Sequence, residues 1–267
     1  MDISDKVFVV TGAGNGIGRE VALALLSRGS SVAGLDLKGE WLEETASLAG
    51  DNASRFAPFT LDITNRKAVL ALPRKVEKAL GMVDGVINVA GIIQPFVRIN
   101  DLDFDAIDRV VEVNLHGPLA IIKAFLPGLL ARPEAKIVNV SSMGSYAPVP
   151  GQTLYGATKA AINLLSEGLR SELTGSSVSV CVVYPGAIGT NIAQNSGLDM
   201  SGADGESSRK VVAPSDAGAA IVSAITEDKK RIFIGDDATF MWRAHRLSPD
   251  LASSLIYRGM KDLLPPA

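Results

Sequence analysis

Seven short runs rich in β-branched residues punctuate the chain: "KVFVVTG", "SVAGLD", "RFAPFTLD", "GVINVAG", "AKIVNVSS", "VSVCVVYPG" and "RIFIGD". Several are apolar at nearly every position instead of at alternate ones. That is the pattern of strands covered on both faces, and it predicts a parallel sheet with helices on either side. The stretches between them predict helices over about 17–28, 39–49, 65–80, 104–131, 153–174 and 214–226, followed by a helical C-terminal extension over about 238–264. Pro73 and Pro118 fall inside two of these stretches, where each removes a donor and crowds the preceding turn, so kinks or late starts are expected. Strand and helix alternating through right-handed crossovers make an α/β, doubly wound sheet, whose ligands bind beyond the carboxyl ends of the strands.

A length of 267 residues suits one such domain spanning 1–267, and a chain 47% hydrophobic and 21% charged has ample material for a core. The net charge of -3, with both signs interspersed, offers no polyanion stripe, so nucleic acid is not an expected partner. Cys181 is the single cysteine and sits in an apolar run, which makes it a packing thiol and not half of a disulfide. His116 and His245 have no ligand-spaced companions, so no metal is expected. An acidic N-terminus running straight into a strand reads as neither signal nor transit peptide, and no apolar run reaches the roughly 20 residues of a bilayer span. A cytoplasmic protein is the expectation. The stretch "NSGLDMSGADGESSRK", rich in Gly, Ser and Asp, follows the sixth strand, and residues 191–210 are expected to form a substrate lid.

The first strand-to-helix junction reads "TGAGNGIG". It fails the G-x-G-x-x-G spacing in every register but satisfies T-G-x-x-x-G-x-G through Thr11, Gly12, Gly16 and Gly18. Backbone without side chains can approach a pyrophosphate closely, and the helix that follows presents free N–H groups; Gly12, Asn15, Gly16, Ile17 and Gly18 are therefore expected to cradle a dinucleotide. Asp36 ends the second strand 18 residues after Gly18, where a carboxylate meets the adenosine ribose, with Leu37 beside it. A carboxylate accepts from ribose hydroxyls but repels a 2'-phosphate, by roughly 4 kcal/mol per charge pair at about 4 Å before screening. NAD is thus expected over NADP, with the flexible ammonium of Lys38 as a partial counterweight.

Tyr155 and Lys159 lie at i and i+4 of a predicted helix and so project from one face. A phenol with its free pKa near 10 is a poor base at neutral pH, and an ammonium beside it favours the phenolate. Ser142 ends the fifth strand at the same sheet edge and can hydrogen-bond a substrate oxygen as charge develops there, whereas pleating sends Ser141 to the other face. Asn114 is a polar residue in an otherwise apolar helix, immediately before Gly117 and Pro118. It reads both as the partner of carbonyls loosened by a kink and as the holder of a water against Lys159.

Together these motifs resemble the short-chain dehydrogenase/reductase family in its single-domain form, through "TGAGNGIG", "LDI" at 61–63, "NVAG" at 88–91, Asn114, "SS" at 141–142, "YGATK" and "YPGAIGTNI", over residues 6 to about 236. The resemblance implies a Rossmann-like doubly wound fold and a catalytic tetrad of Asn114, Ser142, Tyr155 and Lys159, with Tyr155 and Lys159 also touching the cofactor. It implies that Asp62 and Ile63 flank the adenine, and that Asn88, Ala90 and Gly91 line the central cofactor channel. Pro185, Gly186, Ile188 and Thr190 are implied to hold the nicotinamide carboxamide. Val89 replaces the second asparagine of the family's usual "NNAG", and the chain from 237 departs from the common pattern. The implied reaction is hydride transfer between an alcohol and a nicotinamide, with Tyr155 as general acid or base, in a homodimer or homotetramer. Small residues Ala157, Ala160 and Ala161 suit close helix packing.

The expected substrate wall comprises Gln94, Phe96, Met143, Tyr146, Gln152, Ile188 and Ile192, together with Ser142 and Tyr155. It is mostly apolar, which suits a neutral or hydrophobic secondary alcohol or ketone. In the tail, Leu251, Leu255, Ile256, Met260, Leu263 and Leu264 recur on a helical period that suits packing on the chain's own core. Two other readings stand beside the NAD-dependent enzyme. One is an NADPH-dependent carbonyl or 3-oxoacyl-thioester reductase, and the other a redox-inactive nucleotide-binding regulator.

Overall fold

The structure is a computed structural model and describes residues 1–198 and 211–264. Its seven strands are β1 (Val7–Thr11), β2 (Ser31–Asp36), β3 (Phe56–Thr60), β4 (Gly85–Asn88), β5 (Ala135–Val140), β6 (Val178–Pro185) and β7 (Arg231–Ile234). They form one sheet in the order β3-β2-β1-β4-β5-β6-β7, every neighbouring pair parallel. The apolar runs are explained by coverage, since every residue of β1, β4 and β5 is buried. Edge strand β7 is exposed at its first residue. The chain leaves β1 toward β2 on one side and returns to β4 on the other. The carboxyl ends of β1 and β4 therefore diverge into a crevice, the topological switch point of such sheets.

One face is covered by α1 (Gly16–Leu26), α2 (Gly39–Leu48) and α9 (Pro214–Thr226), whose Val21, Leu25, Leu42, Ile221 and Ile225 pack on Phe8, Val10 and Val138. Helices α1 and α9 approach closely because Gly218 lacks a side chain; a Cβ there would overlap the backbone of Glu20. The other face is covered by α3 (Arg66–Leu70), α4 (Leu72–Leu80), α6 (Gly117–Leu130) and α7 (Thr153–Glu172), through Val69, Val76, Ile121, Phe125, Leu129 and Leu169. Each large apolar side chain so buried contributes about 1.5–3 kcal/mol. Cys181 is fully buried in the first of these cores, and burial pushes its thiol up to about 11.

Pro73 gives a late start. The expected helix over 65–80 breaks at Ala71, and Pro73 occupies the first turn of α4, where its missing N–H costs nothing. Pro118 likewise falls in the first turn of α6, immediately after a π-turn over Glu112–His116 that joins α5 (Phe104–Val111) to α6. Pro127 lies within α6 without ending it. The continuous run Phe104–Leu130 has 27 residues and contains an 18-residue stretch with a mean hydropathy of 1.3, long and apolar enough to cross a bilayer by length and composition. Much of its apolar side chain surface is taken up by the core, through Val110, Ile121, Ile122, Phe125 and Leu129.

After β6 the chain forms the short α8 (Ile192–Asn195); positions 199–210 of the expected lid lie outside the described residues. The C-terminal extension is two helices, α10 (Asp236–Leu247) and α11 (Pro249–Met260), because Ser248 is extended and Pro249 opens a new first turn. They pack on each other and on Met143 and Ala147 through Met241, Ala244, Ala252 and Ile256. Leu251 is the exception in the tail's apolar stripe, being exposed.

Candidate active site

The switch-point crevice is a cleft of about 420 Å³. Its floor is the β1–α1 turn. Gly12 and Gly16 take positive φ values of +69° and +53°, and a Cβ on Gly18 would run into the carbonyl of Gly12, so the turn can close only with glycine at these points. Asn15 caps α1, its side-chain oxygen accepting from Gly16 N at 2.6 Å. Gly12, Asn15, Gly16, Ile17 and Gly18 all line the cleft, as do Asp36, Leu37, Asp62, Ile63, Ala90, Gly91, Thr190 and Ile192.

Asp36 is braced by the turn it faces. One oxygen accepts from Gly14 N at 3.0 Å and the other from Lys38 N at 3.2 Å. The Lys38 ammonium sits 4.1 Å from the centre of the Trp41 ring. Trp41, Thr64, Arg109, Val113 and Asn195 also line the cleft and were missed by sequence reasoning. Trp41 had a signal in retrospect, a large aromatic in the first turn of the helix that follows Asp36. The others are brought in by folding alone.

Not every expected cofactor residue opens onto this cleft. Asn88 is 3% exposed and its amide donates to Asn139 at 2.8 Å, so it buttresses the sheet edge from behind. Val89 takes the place in the lining, while Thr11 accepts from both Val89 N and Ala90 N. Pro185, Gly186 and Ile188 do not line it, whereas Thr190 does.

Beyond the far end of β5, α7 presents Tyr155 and Lys159. The Tyr155 phenol lies beside Ser142, whose Oγ accepts from Gly144 N at 3.0 Å. Ser141 points elsewhere and donates to the Lys159 carbonyl at 2.8 Å. Lys159 is 4% exposed; its ammonium donates to Val140 O at 3.0 Å and lies 5.9 Å from the Tyr155 ring centre. Burial pulls Lys159 down to about 8. Burial also raises Tyr155, only partly offset by the neighbouring Ser142 hydroxyl, so the expected ammonium-driven fall of the phenol is not the balance here. The reason is desolvation, which disfavours both charged forms where protein alone surrounds them.

Asn114 sits in the π-turn and is fully buried. Its side chain clasps the backbone of Ile92, accepting from the N–H at 2.9 Å and donating to the carbonyl at 2.8 Å, and reaches Thr158 at 3.2 Å. Gly91 separates Asn114 from Lys159. A Cβ there would come within 3.1 Å of the Lys159 Nζ and 3.2 Å of the Asn114 Oδ1. Such π-turns recur at functional sites because they re-aim a side chain without breaking the helix.

The expected substrate wall is partly structural. The Gln94 side-chain oxygen accepts from Leu154 N and Tyr155 N at 2.8 and 3.0 Å, capping α7, while Gln152 donates to the Gln94 carbonyl at 2.6 Å. Both glutamines are buried, and these hydrogen bonds serve the start of α7. Tyr146 donates to Ala238 O at 2.8 Å within a cluster containing Tyr184 and Phe233, and burial raises its phenol further than the neighbouring Asp237 carboxylate does. Met143 is buried against the C-terminal helices, while Ile192 faces the cleft.

Residues 6–201 match the family model described as short chain dehydrogenase. The chain is 33% identical over 263 residues to the probable oxidoreductase EphD of Mycobacterium tuberculosis, covering 94% of this chain but only 44% of that longer protein. It is 32% identical over 272 residues to the putative oxidoreductase SadH of the same organism, covering 97% of each. A short chain dehydrogenase from Burkholderia cenocepacia, solved with NADP, superposes with a TM-score of 0.81 at 27% identity, over 96% of this chain and 99% of that one. The glycine turn, the Tyr155–Lys159 helix beside it and these matches together place the chain in the short-chain dehydrogenase family.

Proposed function

We propose that the protein is an NAD-dependent oxidoreductase that interconverts a secondary alcohol and a ketone. The observation that carries this reading is the placement of neighbouring Tyr155 and Ser142 and a buried Lys159 at one sheet edge, the Lys159 ammonium lying against Gly91 of a glycine-floored cleft. The cleft fits a dinucleotide, since side chains on Gly12 or Gly18 would crowd its floor and Asp36 supplies an acceptor at one end. A nicotinamide dinucleotide, when bound, accepts or supplies the hydride. Tyr155 takes the substrate hydroxyl proton during oxidation and returns it during reduction, and Ser142 donates a hydrogen bond to the substrate oxygen as charge builds there. Lys159 adds positive charge beside the phenol, and Asn114 fixes the Gly91–Ile92 backbone against which that ammonium rests. The apolar Phe96, Met143 and Ile192 favour a neutral or hydrophobic substrate.

Tyr155→Phe is expected to bind NADH like the wild type, followed by fluorescence titration, and to lose about 10²–10⁴-fold in turnover on any alcohol that the wild type oxidises. Undiminished turnover in that variant would remove Tyr155 from the chemistry.

A second reading, an NADPH-dependent reductase, draws on the NADP-bound relative and on Lys38 and Arg109, which line the cleft together with Asp36. Asp36 favours NAD because its carboxylate is already fixed by two backbone donors and opposes a 2'-phosphate. Asp36→Ala should shift the ratio of NAD to NADP affinities toward NADP by at least about tenfold. A ratio that does not move would favour the reductase.

A further inference from the structure

Asp237 stands in the first turn of α10, where the helix dipole favours a carboxylate. The side chain does not simply face solvent. One oxygen accepts from the Ala187 N–H at 2.8 Å, reaching 50 positions back along the chain into the loop that follows β6. Room for the carboxylate comes from two glycines, since a Cβ on Gly186 or on Gly235 would overlap it. Gly235 has its own reason to be glycine in a φ of +100°, but Gly186 has no positive φ, so its missing side chain serves space and not backbone freedom.

Among the described residues, the rest of the Gly186–Gly189 segment is held through backbone groups. Gly186 N donates to Ile234 O at 2.8 Å, Val212 N to Ala187 O at 3.0 Å and Gly189 N to Val212 O at 3.0 Å. Asp237 is thus the side chain that fastens the Gly186–Ala187 turn. A few residues on, the same loop delivers Thr190 and Ile192 to the cleft wall, with Thr190 so close to the glycine turn that a Cβ on Gly16 would come within 3.3 Å of its methyl. The adjoining Ala238 carbonyl accepts from Tyr146, so the first turn of α10 grips both this loop and the segment after Ser142.

We infer that Asp237 is a positioning residue for cofactor binding: from the C-terminal extension it clamps the Gly186–Ala187 turn and so sets where Thr190 and Ile192 close the cleft. The inference rests on the reading of that cleft as a nicotinamide-dinucleotide site. A carboxylate serving only the α10 dipole would act equally well from Asp236, which is exposed and one residue earlier.

The test uses the full chain, with NADH and NADPH as probes and thermal midpoints recorded alongside. Asp237→Ala should weaken binding of the preferred cofactor about tenfold. Asp237→Asn, which keeps an oxygen for the Ala187 N–H, should stay within about threefold, and Asp236→Ala should match the wild type. Gly186→Ala should weaken binding by displacing the carboxylate, and combining it with Asp237→Ala should cost little more than Asp237→Ala alone, because both act through one contact. Wild-type affinity in a folded Asp237→Ala, or simple additivity in the pair, would overturn the clamp. If Asp237→Ala does not fold, Gly186→Ala decides: weakened affinity supports the clamp and unchanged affinity refutes it. A wild-type protein that binds neither dinucleotide would overturn the cofactor reading and this inference with it, whereas wild-type binding with an indifferent Asp237→Ala removes this inference alone.

Discussion

A lysine with 4% exposure and a pKa near 8 is held at a cost, and the cost has a sign that can be measured. Native Lys159 releases its proton near pH 8, the unfolded chain near 10.5, so between those values the unfolded state binds more protons and stability rises with pH. Below pH 8 the buried ammonium costs about 3 kcal/mol, a penalty that fades as pH climbs toward 10.5. Lys159→Met lacks this dependence, so the stability of the wild type relative to that variant should rise by roughly 2–3 kcal/mol from pH 7 to pH 10 in denaturant titrations. A difference that stays level across that window would show that Lys159 is not desolvated. Tyr155 belongs to both proteins, and its raised pKa carries its titration above its ordinary value of 10, so it leaves the comparison largely intact. That an ammonium and a phenol would sit side by side was legible from their i, i+4 spacing. That burial would outweigh their mutual effect was not, because desolvation depends on what other segments bring to cover them.

At the level of elements, the β1–α1 turn is the most local part of the site and the most legible. Gly12 and Gly16 answer to backbone torsions and Gly18 to the Gly12 carbonyl six residues earlier, all of which are written in consecutive positions, although Gly12 and Gly16 also leave room for Ala90 and Thr190. Gly18→Ala would drive a Cβ into the Gly12 carbonyl, an overlap that only backbone movement can relieve. A loss of about 1–3 kcal/mol in stability is expected, together with a large loss of dinucleotide affinity, as read by thermal shift with and without NADH. Unchanged values for both would mean that the turn has more slack than the structure gives it. The Phe104–Leu130 run shows the opposite case. Its helical period and its proline are plain in the sequence, yet the π-turn that rotates Asn114 toward Ile92 arises from a bargain between helix and loop. Gln94 illustrates the same point. Expected at the substrate wall, it also caps the start of α7 through its side-chain oxygen, a partnership that only folding creates.

For the whole molecule, the seven-stranded parallel sheet, its two helical layers and the position of the cleft follow from apolar runs at the strand period, helical stretches between them and the handedness of crossovers. Those are short-range regularities and survive in a one-dimensional reading. So do the residue types proposed to carry the chemistry: the glycine turn, Asp36, Ser142, Tyr155 and Lys159. Only the tertiary structure decided which expected residues open onto the cleft and which do not, as with Val89 in place of Asn88 and Thr190 but not Gly186. It also broke the C-terminal region into two helices and turned the first of them into a clamp on a loop 50 residues earlier. The physical reason is range. Strand, helix and turn are settled by neighbours along the chain, whereas orientation, burial and hydrogen-bond partnership are settled by segments that meet only once the sheet has assembled.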